Sequence, residues 1–89
     1  MKIKLELFGA SRDFSNKDHL EFDIEDKASV DDLRNEIIKY LDKNFKGNEA
    51  FIKVVKSSAF CSENNEIISD NYKITKDQKI GIIPPIGGG

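Results

Sequence analysis

The residues best suited to chemistry lie at the C-terminus, where two prolines precede one isoleucine and three glycines. Pro84 and Pro85 lack backbone donors and disfavour helix, so they predict a stiff, extended segment. Glycine has no Cβ, and the stretch Gly87–Gly89 is therefore the thinnest backbone that a chain can present. Residues 84–89 would reach about 20 Å when fully extended. We expect a tail that carries the carboxylate of Gly89 into a narrow site on another protein, rather than a passive glycine linker.

The carboxylate of Gly89 is the strongest candidate for a reacting group. A carboxylate is a poor acyl donor, but ATP can convert it to an acyl-adenylate, from which a sulfur or amine nucleophile displaces AMP. A terminal residue without a side chain does not obstruct that nucleophile. Docking of the folded body on an enzyme would make delivery of the tail effectively intramolecular, which favours the reaction strongly.

Other chemical motifs are weak. The only glycine cluster is not followed by a helix, so it is no phosphate-binding loop, and one histidine and one cysteine do not suffice for a metal site. We interpret His19 as a solvated surface residue and Cys61 as a small strand residue. Asp31 and Asp32 are explained by a first helical turn, where carboxylates oppose the helix dipole. We predict no metal site and no bound cofactor.

Length and composition indicate one small domain. The 89 residues are 38% hydrophobic and 34% charged, with a formal net charge of −2. Such a balance is typical of a globular chain and gives little support to nucleic-acid or membrane binding. No apolar run approaches the length of a membrane span. A single cysteine excludes an internal disulfide and is typical of a reducing compartment, so we expect a cytoplasmic protein.

The periodicity of apolar residues predicts an α+β fold. Residues 2–8 and 19–25 alternate as half-buried strands and should form an antiparallel pair, with a loop at 9–18 between them. Helical spacing over 30–45, with Ser29 as N-cap, predicts the main helix. Further strands are expected at 50–56, 58–61, 66–68 and 79–83. The order ββ-α-βββ predicts a twisted sheet with one helix across its apolar face.

Three segments of the chain match the motifs of a known family, namely Leu7–Asp13, Ala28–Arg34 and Ile80–Gly89. On these segments the chain resembles the small subunit of molybdopterin synthase, a ubiquitin-like sulfur carrier with the β-grasp fold and a mixed sheet. The similarity covers nearly the whole sequence and is most specific in its final segment. This resemblance divides the chain into a β-grasp domain at 1–83 and an extended tail at 84–89.

The resemblance also implies a function and partners. Gly89 would be adenylated by a ubiquitin-activating-like adenylyltransferase, which consumes ATP, and converted to a thiocarboxylate with the help of a sulfur donor enzyme. The large catalytic subunit would then receive the tail, and sulfur would pass to cyclic pyranopterin monophosphate during molybdenum cofactor biosynthesis. The chain itself would be a non-catalytic subunit of a heterotetramer. The residues expected to enter the partner are Gly87, Gly88 and Gly89.

Strand alternation also predicts a surface for binding partners. If Ile80 and Ile82 face the helix, Ile83 points to the open face of the sheet, as does Phe8 beyond the first strand. Burial of Phe8 beneath the 9–18 loop is the alternative. The residues that we expect in this exposed apolar surface are Phe8, Ile83, Pro84, Pro85 and Ile86.

Three other functions remain open at this stage. A related carrier for thiazole synthesis or tRNA thiolation would share the chemistry of the tail. A protein modifier would instead join Gly89 to lysines through isopeptide bonds. A β-grasp interaction module would have no reactive terminus at all.

Overall fold

The computed structural model describes residues 1–85 of the chain. The order of strands and helices along it departs from the prediction at one α-helix and at a 3-10 helix. The elements are β1 (Lys2–Leu7), a 3-10 helix (Gly9–Phe14), β2 (His19–Asp23), α1 (Val30–Asn44), α2 (Glu49–Ser57), β3 (Ala59–Cys61), β4 (Ile67–Ile68) and β5 (Gln78–Ile83).

Over residues 1–85 the five strands form one mixed sheet in the order β2-β1-β5-β3-β4. The neighbouring strands β1 and β5 are parallel, and Leu5 lies beside Ile80. The remaining neighbours are antiparallel, including the predicted pair β1 and β2. The predicted α+β architecture, with a mixed sheet and one main helix across one face, is confirmed.

The core lies between α1 and one face of the sheet. Alternate residues of β1 and β5 point into it, and α1 contributes one apolar stripe. The fully buried members of these three elements are Ile3, Leu5, Leu7, Val30, Leu33, Ile37, Leu41, Ile80 and Ile82. Because burial of one such side chain is worth about 1.5–3 kcal/mol, this interface supplies most of the driving force for folding.

Helix α1 begins where the sequence predicts. The Ser29 hydroxyl accepts a hydrogen bond from the Asp32 backbone N–H at 3.1 Å, and the Ser29 N–H donates to the Asp32 carboxylate at 2.9 Å. This reciprocal capping box satisfies two otherwise unpaired donors at the helix start. At the other end the Phe45 N–H donates to the Leu41 carbonyl, and both Lys46 and Gly47 adopt positive φ. Lys46 therefore occupies the position directly after the C-cap residue Phe45.

The predicted strand at 50–56 is wrong, because this segment lies in α2. The Asn48 side chain accepts a hydrogen bond from the Phe51 N–H at 3.2 Å, which starts the helix. Phe51 and Val55, four residues apart, turn inward together. A short run of Phe, Ile and Val favours a strand by composition, but tertiary packing overrides so weak a preference.

The predicted loop at 9–18 is wrong in part, because Gly9–Phe14 forms a 3-10 helix. Phe14 is fully buried, and its ring centroid lies 5.1 Å from that of Phe51 in α2. The two wrongly predicted segments therefore pack against each other. Together α2 and the 3-10 helix extend the core beyond the end of α1.

Arg34 of α1 fastens α2 to the rest of the fold. Its guanidinium donates to the Val55 carbonyl at 2.6 Å and to the Ser58 carbonyl at 2.9 Å, at the C-terminal end of α2. A further bond of 2.7 Å reaches the Asp70 carboxylate, and the cation lies 4.8 Å from the ring centroid of Phe60. One nearly buried cation thus satisfies carbonyls that the helix leaves unpaired.

Candidate functional site

The tail begins at the end of β5. Ile83 and Pro84 are half-buried, and Pro85 is exposed. Gly9, at the start of the 3-10 helix, lies beside Pro84, since a Cβ on Gly9 would contact the proline ring at 3.8 Å. The body of the protein therefore supports the first proline. The residues beyond Pro85, namely Ile86, Gly87, Gly88 and Gly89, lie outside the described residues, and their predicted roles stay predictions.

The open face of the sheet carries an apolar surface next to this point. Ile80 and Ile82 face the core, so Gly81 and Ile83 face away from α1. Register places Ala59 opposite Ile83 and Cys61 opposite Gly81, with Ile67 opposite Cys61 on the other side. We call this surface the apolar patch and define it as Phe8, Ala59, Cys61, Ile67, Gly81, Ile83 and Pro84.

Phe8 contributes the aromatic ring of the apolar patch. Its side chain is 43% exposed, and Ile67 at the far edge is 67% exposed. The Phe8 ring lies on β5, because a Cβ built on Gly81 would come within 2.9 Å of it. The structure thus places the predicted residues Phe8, Ile83 and Pro84 in one accessible surface.

Three members of the apolar patch were not predicted as part of the site. Ala59, Cys61 and Ile67 belong to β3 and β4, two short strands whose pairing with β5 is set by contacts distant in sequence. The sequence did contain a signal, since all three lie at alternate strand positions. Only the pairing register of β3 with β4 and β5 shows that these residues lie on the sheet face next to the tail.

Charged residues adjoin the apolar patch. The Lys79 ammonium lies 2.6 Å from the Glu6 carboxylate, and the Lys79 backbone N–H donates to Glu63 at 2.8 Å. The hydrogen bond to Glu6 raises the pKa of Lys79 above its ordinary value. An apolar centre with a charged border has the composition of a surface that binds another protein.

The histidine and the cysteine offer little independent chemistry. Cys61 is a buried member of the apolar patch, only 7% exposed, as expected for a strand residue. His19 is less solvated than predicted, with a side chain 20% exposed and its Nδ1 3.1 Å from the Asp18 carboxylate. That hydrogen bond lowers the pKa of Asp18. Within residues 1–85 no three His, Cys, Asp or Glu side chains are grouped for a metal ion. Over the same residues no helix has the length and apolar character that a membrane crossing requires.

The fold resembles those of small ubiquitin-like proteins. A protein provisionally described as molybdopterin converting factor subunit 1 from Pyrococcus furiosus superposes with a TM-score of 0.70 at 24% identity, over 96% of this chain and 98% of that one. SAMP1 from Haloferax volcanii gives 0.69 at 15% identity over the full length of both chains. Caldiarchaeum subterraneum ubiquitin gives 0.62 at 17% identity, over 100% of this chain and 98% of that one. The predicted β-grasp fold is confirmed.

Sequence comparison identifies the family. No curated protein matches the chain significantly. The model of the ThiS family, in contrast, matches residues 5–89, from the middle of β1 to the glycine terminus. The chain therefore belongs to the ThiS family and is a ubiquitin-like sulfur carrier.

Proposed function

We propose that this protein is the sulfur-carrying small subunit of a molybdopterin synthase. The observation that carries the proposal is the apolar patch at the root of a proline-glycine tail, in a chain whose ThiS family match extends to Gly89. The similarity to the Pyrococcus furiosus protein, provisionally described as a molybdopterin converting factor subunit, favours this branch over other sulfur carriers.

In the proposed reaction, a carboxylate oxygen of Gly89 attacks the α-phosphorus of ATP and pyrophosphate leaves. Hydrosulfide from a sulfur donor then attacks the acyl carbon and AMP leaves, so a thiocarboxylate replaces the carboxylate. No oxidant or reductant is required, because the sulfur enters at the oxidation level of sulfide and stays there. The adenylating step belongs to a ubiquitin-activating-like enzyme, and the residues of this chain supply the acyl group and the docking surface.

In this proposal one small domain serves successive enzymes by docking through the same surface. The apolar patch provides binding energy that does not depend on the state of the tail. The half-buried Pro84 lies against the body of the protein where the chain leaves β5, and six residues could span at most about 20 Å at full extension. A docked body would hold the terminus at high effective concentration in the partner's active site. The large catalytic subunit would bind the same patch, and two small with two large subunits would form the heterotetramer.

Intact-mass analysis tests the carrier chemistry. The protein is incubated with ATP, a ubiquitin-activating-like adenylyltransferase and sulfide, beside a variant lacking Gly88 and Gly89. We expect the mass of the full chain to increase by the difference between one sulfur and one oxygen atom. The mass of the truncated variant should not change. An unchanged mass would indicate a non-reactive module, whereas attachment to lysines of other proteins would indicate a modifier.

A second assay assigns the pathway. The thiocarboxylated protein is mixed with the large subunit and cyclic pyranopterin monophosphate, or with the enzyme that forms the thiazole ring. We expect sulfur transfer to the pterin only. Transfer to the thiazole precursor, or to a tRNA in the corresponding assay, would retain the carrier function and reject the molybdopterin branch.

A further inference from the structure

The 3-10 helix that follows β1 has three distinct faces, because residues three apart in such a helix lie above one another. Ser11 and Phe14 form the buried face, and neither is accessible to solvent. A second face carries Asp13, which lines a groove between this helix, β2 and the C-terminal end of α1. The third face consists of Gly9 and Arg12, and both residues are exposed.

The face formed by Gly9 and Arg12 adjoins the root of the tail. Gly9 lies beside Pro84, since a Cβ on Gly9 would contact the proline ring at 3.8 Å. Arg12 lies one turn further along the same face, about 6 Å from Gly9 along the helix axis. The buried face anchors this helix on the core, so Arg12 is carried by a well-packed element next to the tail and the apolar patch.

Arg12 is a cation without a counter-charge in the described part of the chain. Over residues 1–85 no carboxylate forms an ion pair with its guanidinium, and the neighbouring Asp13 lies on the face toward the groove. Arg34 differs in this respect, because it is nearly buried and lies 2.7 Å from the carboxylate of Asp70. The guanidinium of Arg12 thus remains available for an anion outside these residues.

The charges on the open face of the sheet, in contrast, already have partners. Lys2 lies 3.4 Å from the carboxylate of Asp23, and Lys79 lies 2.6 Å from that of Glu6. Such pairs largely neutralise each other and select no partner by charge. Arg12 is therefore the better guide to the chemistry of a partner that docks around the tail.

We propose that Arg12 binds an aspartate or glutamate side chain of the enzyme that adenylates Gly89. This inference rests on the proposed function and names the chemistry of one contact within it. A carboxylate matches the planar guanidinium, because it accepts two parallel hydrogen bonds from it. Arginine is also enriched among the residues that dominate the energy of protein interfaces.

A phosphate of ATP is a less suitable occupant. The α-phosphorus reacts at Gly89, which an extended tail would hold as far as about 20 Å from Pro84. Arg12 lies beside Pro84, at the other end of the tail. At that position a docked enzyme presents its protein surface, and a carboxylate is the anionic group that a protein surface supplies.

Direct binding tests the contact. The 89-residue chain and its variants are titrated into the ubiquitin-activating-like adenylyltransferase without ATP, and the Kd is measured by calorimetry. We expect Arg12→Glu to raise the Kd at least about tenfold, because it places two carboxylates together. Arg12→Lys should have an intermediate effect, since an ammonium lacks the planar fork. The control is Lys76→Glu, which changes the net charge equally but lies just before β5, at the opposite end of that strand from the tail. Its effect should be smaller.

The kinetics of adenylation give a second readout. Arg12→Glu should raise the KM for this protein about tenfold and leave kcat and the KM for ATP little changed. Equal effects of Arg12→Glu and Lys76→Glu, a raised KM for ATP, or a lower melting temperature with unchanged Kd would each overturn the proposal. These outcomes would indicate general electrostatic attraction, a phosphate contact and a purely structural role, respectively. If the unaltered chain were neither bound nor adenylated, the carrier function would fail as well, so the two failures are distinguishable.

Discussion

The Phe8 ring packs directly on the backbone of Gly81, in the position that a side chain at residue 81 would occupy. A Cβ there would lie 2.9 Å from Phe8 Cε2 and 2.8 Å from Cys61 Sγ, closer than real Cβ contacts. The segment that follows the ring is fixed as well, since the Ser11 hydroxyl donates to the Phe8 carbonyl at 2.6 Å. The shape of the apolar patch thus depends on the absence of one methyl group.

We expect Gly81→Ala to displace the Phe8 ring and to lower the free energy of unfolding by about 1–3 kcal/mol, the usual range for overpacking. Urea denaturation of the single variants and of Phe8→Ala/Gly81→Ala measures the coupling. The double variant should be more stable than the sum of the single effects predicts, because the ring is no longer there to clash. Strict additivity would show that the contact between Phe8 and Gly81 is unimportant.

Local sequence signals predicted the elements that form the core. The alternation of Ile3, Leu5 and Leu7 determines which face of β1 is buried, and the capping box of Ser29 and Asp32 marks the start of α1. Each signal lies within a few residues and needs no knowledge of the tertiary fold.

The predictions fail where contacts between residues distant in sequence determine the local structure. The segment that forms α2 is rich in residues that favour strands, and it becomes helical where Phe51 packs on Phe14 and Arg34 caps its C-terminus. Similarly, Ala59 and Ile67 join the apolar patch only through the register of β3 and β4. That pairing depends on β5, which follows them in the chain.

We expect Arg34→Met to reduce the free energy of unfolding by about 2–4 kcal/mol, because it removes several charge-assisted bonds and leaves carbonyls unpaired. Asp70→Asn should cost less than about 1 kcal/mol, since the Asp70 side chain is 56% exposed and exposed ion pairs contribute little. Arg34→Lys keeps the charge but lacks the planar fork that reaches both sets of acceptors. Urea denaturation of the three variants distinguishes these contributions, and an Arg34→Lys variant as stable as the wild type would contradict the capping role.

Stability should fall in acid partly through Asp32. Its pKa lies below the ordinary value because the Ser29 backbone N–H, and then the Ser29 hydroxyl, bond to the carboxylate. A lowered folded-state pKa stabilises the protein fully above the unfolded value, about 3.9, and this contribution disappears as the pH falls through the folded value. Asp32→Asn should therefore be less stable than the wild type at pH 7, with a gap that narrows below about pH 4. A gap that stays constant across this range would contradict a role for the ionised carboxylate.

The final prediction concerns the apolar patch as the site of docking. Ile83 lies at the root of the tail, whereas Ile67 lies at the far edge of the patch and is 67% exposed. If partners bind around the tail, Ile83→Asp should raise the KM of the activating enzyme for this protein about tenfold, as truncation of a central contact does, and leave kcat little changed. Ile67→Asp should have a smaller effect, because residues at the rim of an interface contribute less. Thermal denaturation checks that both variants remain folded. Unchanged KM for Ile83→Asp would move the docking surface elsewhere, whereas a larger effect at Ile67 would place its centre on β4.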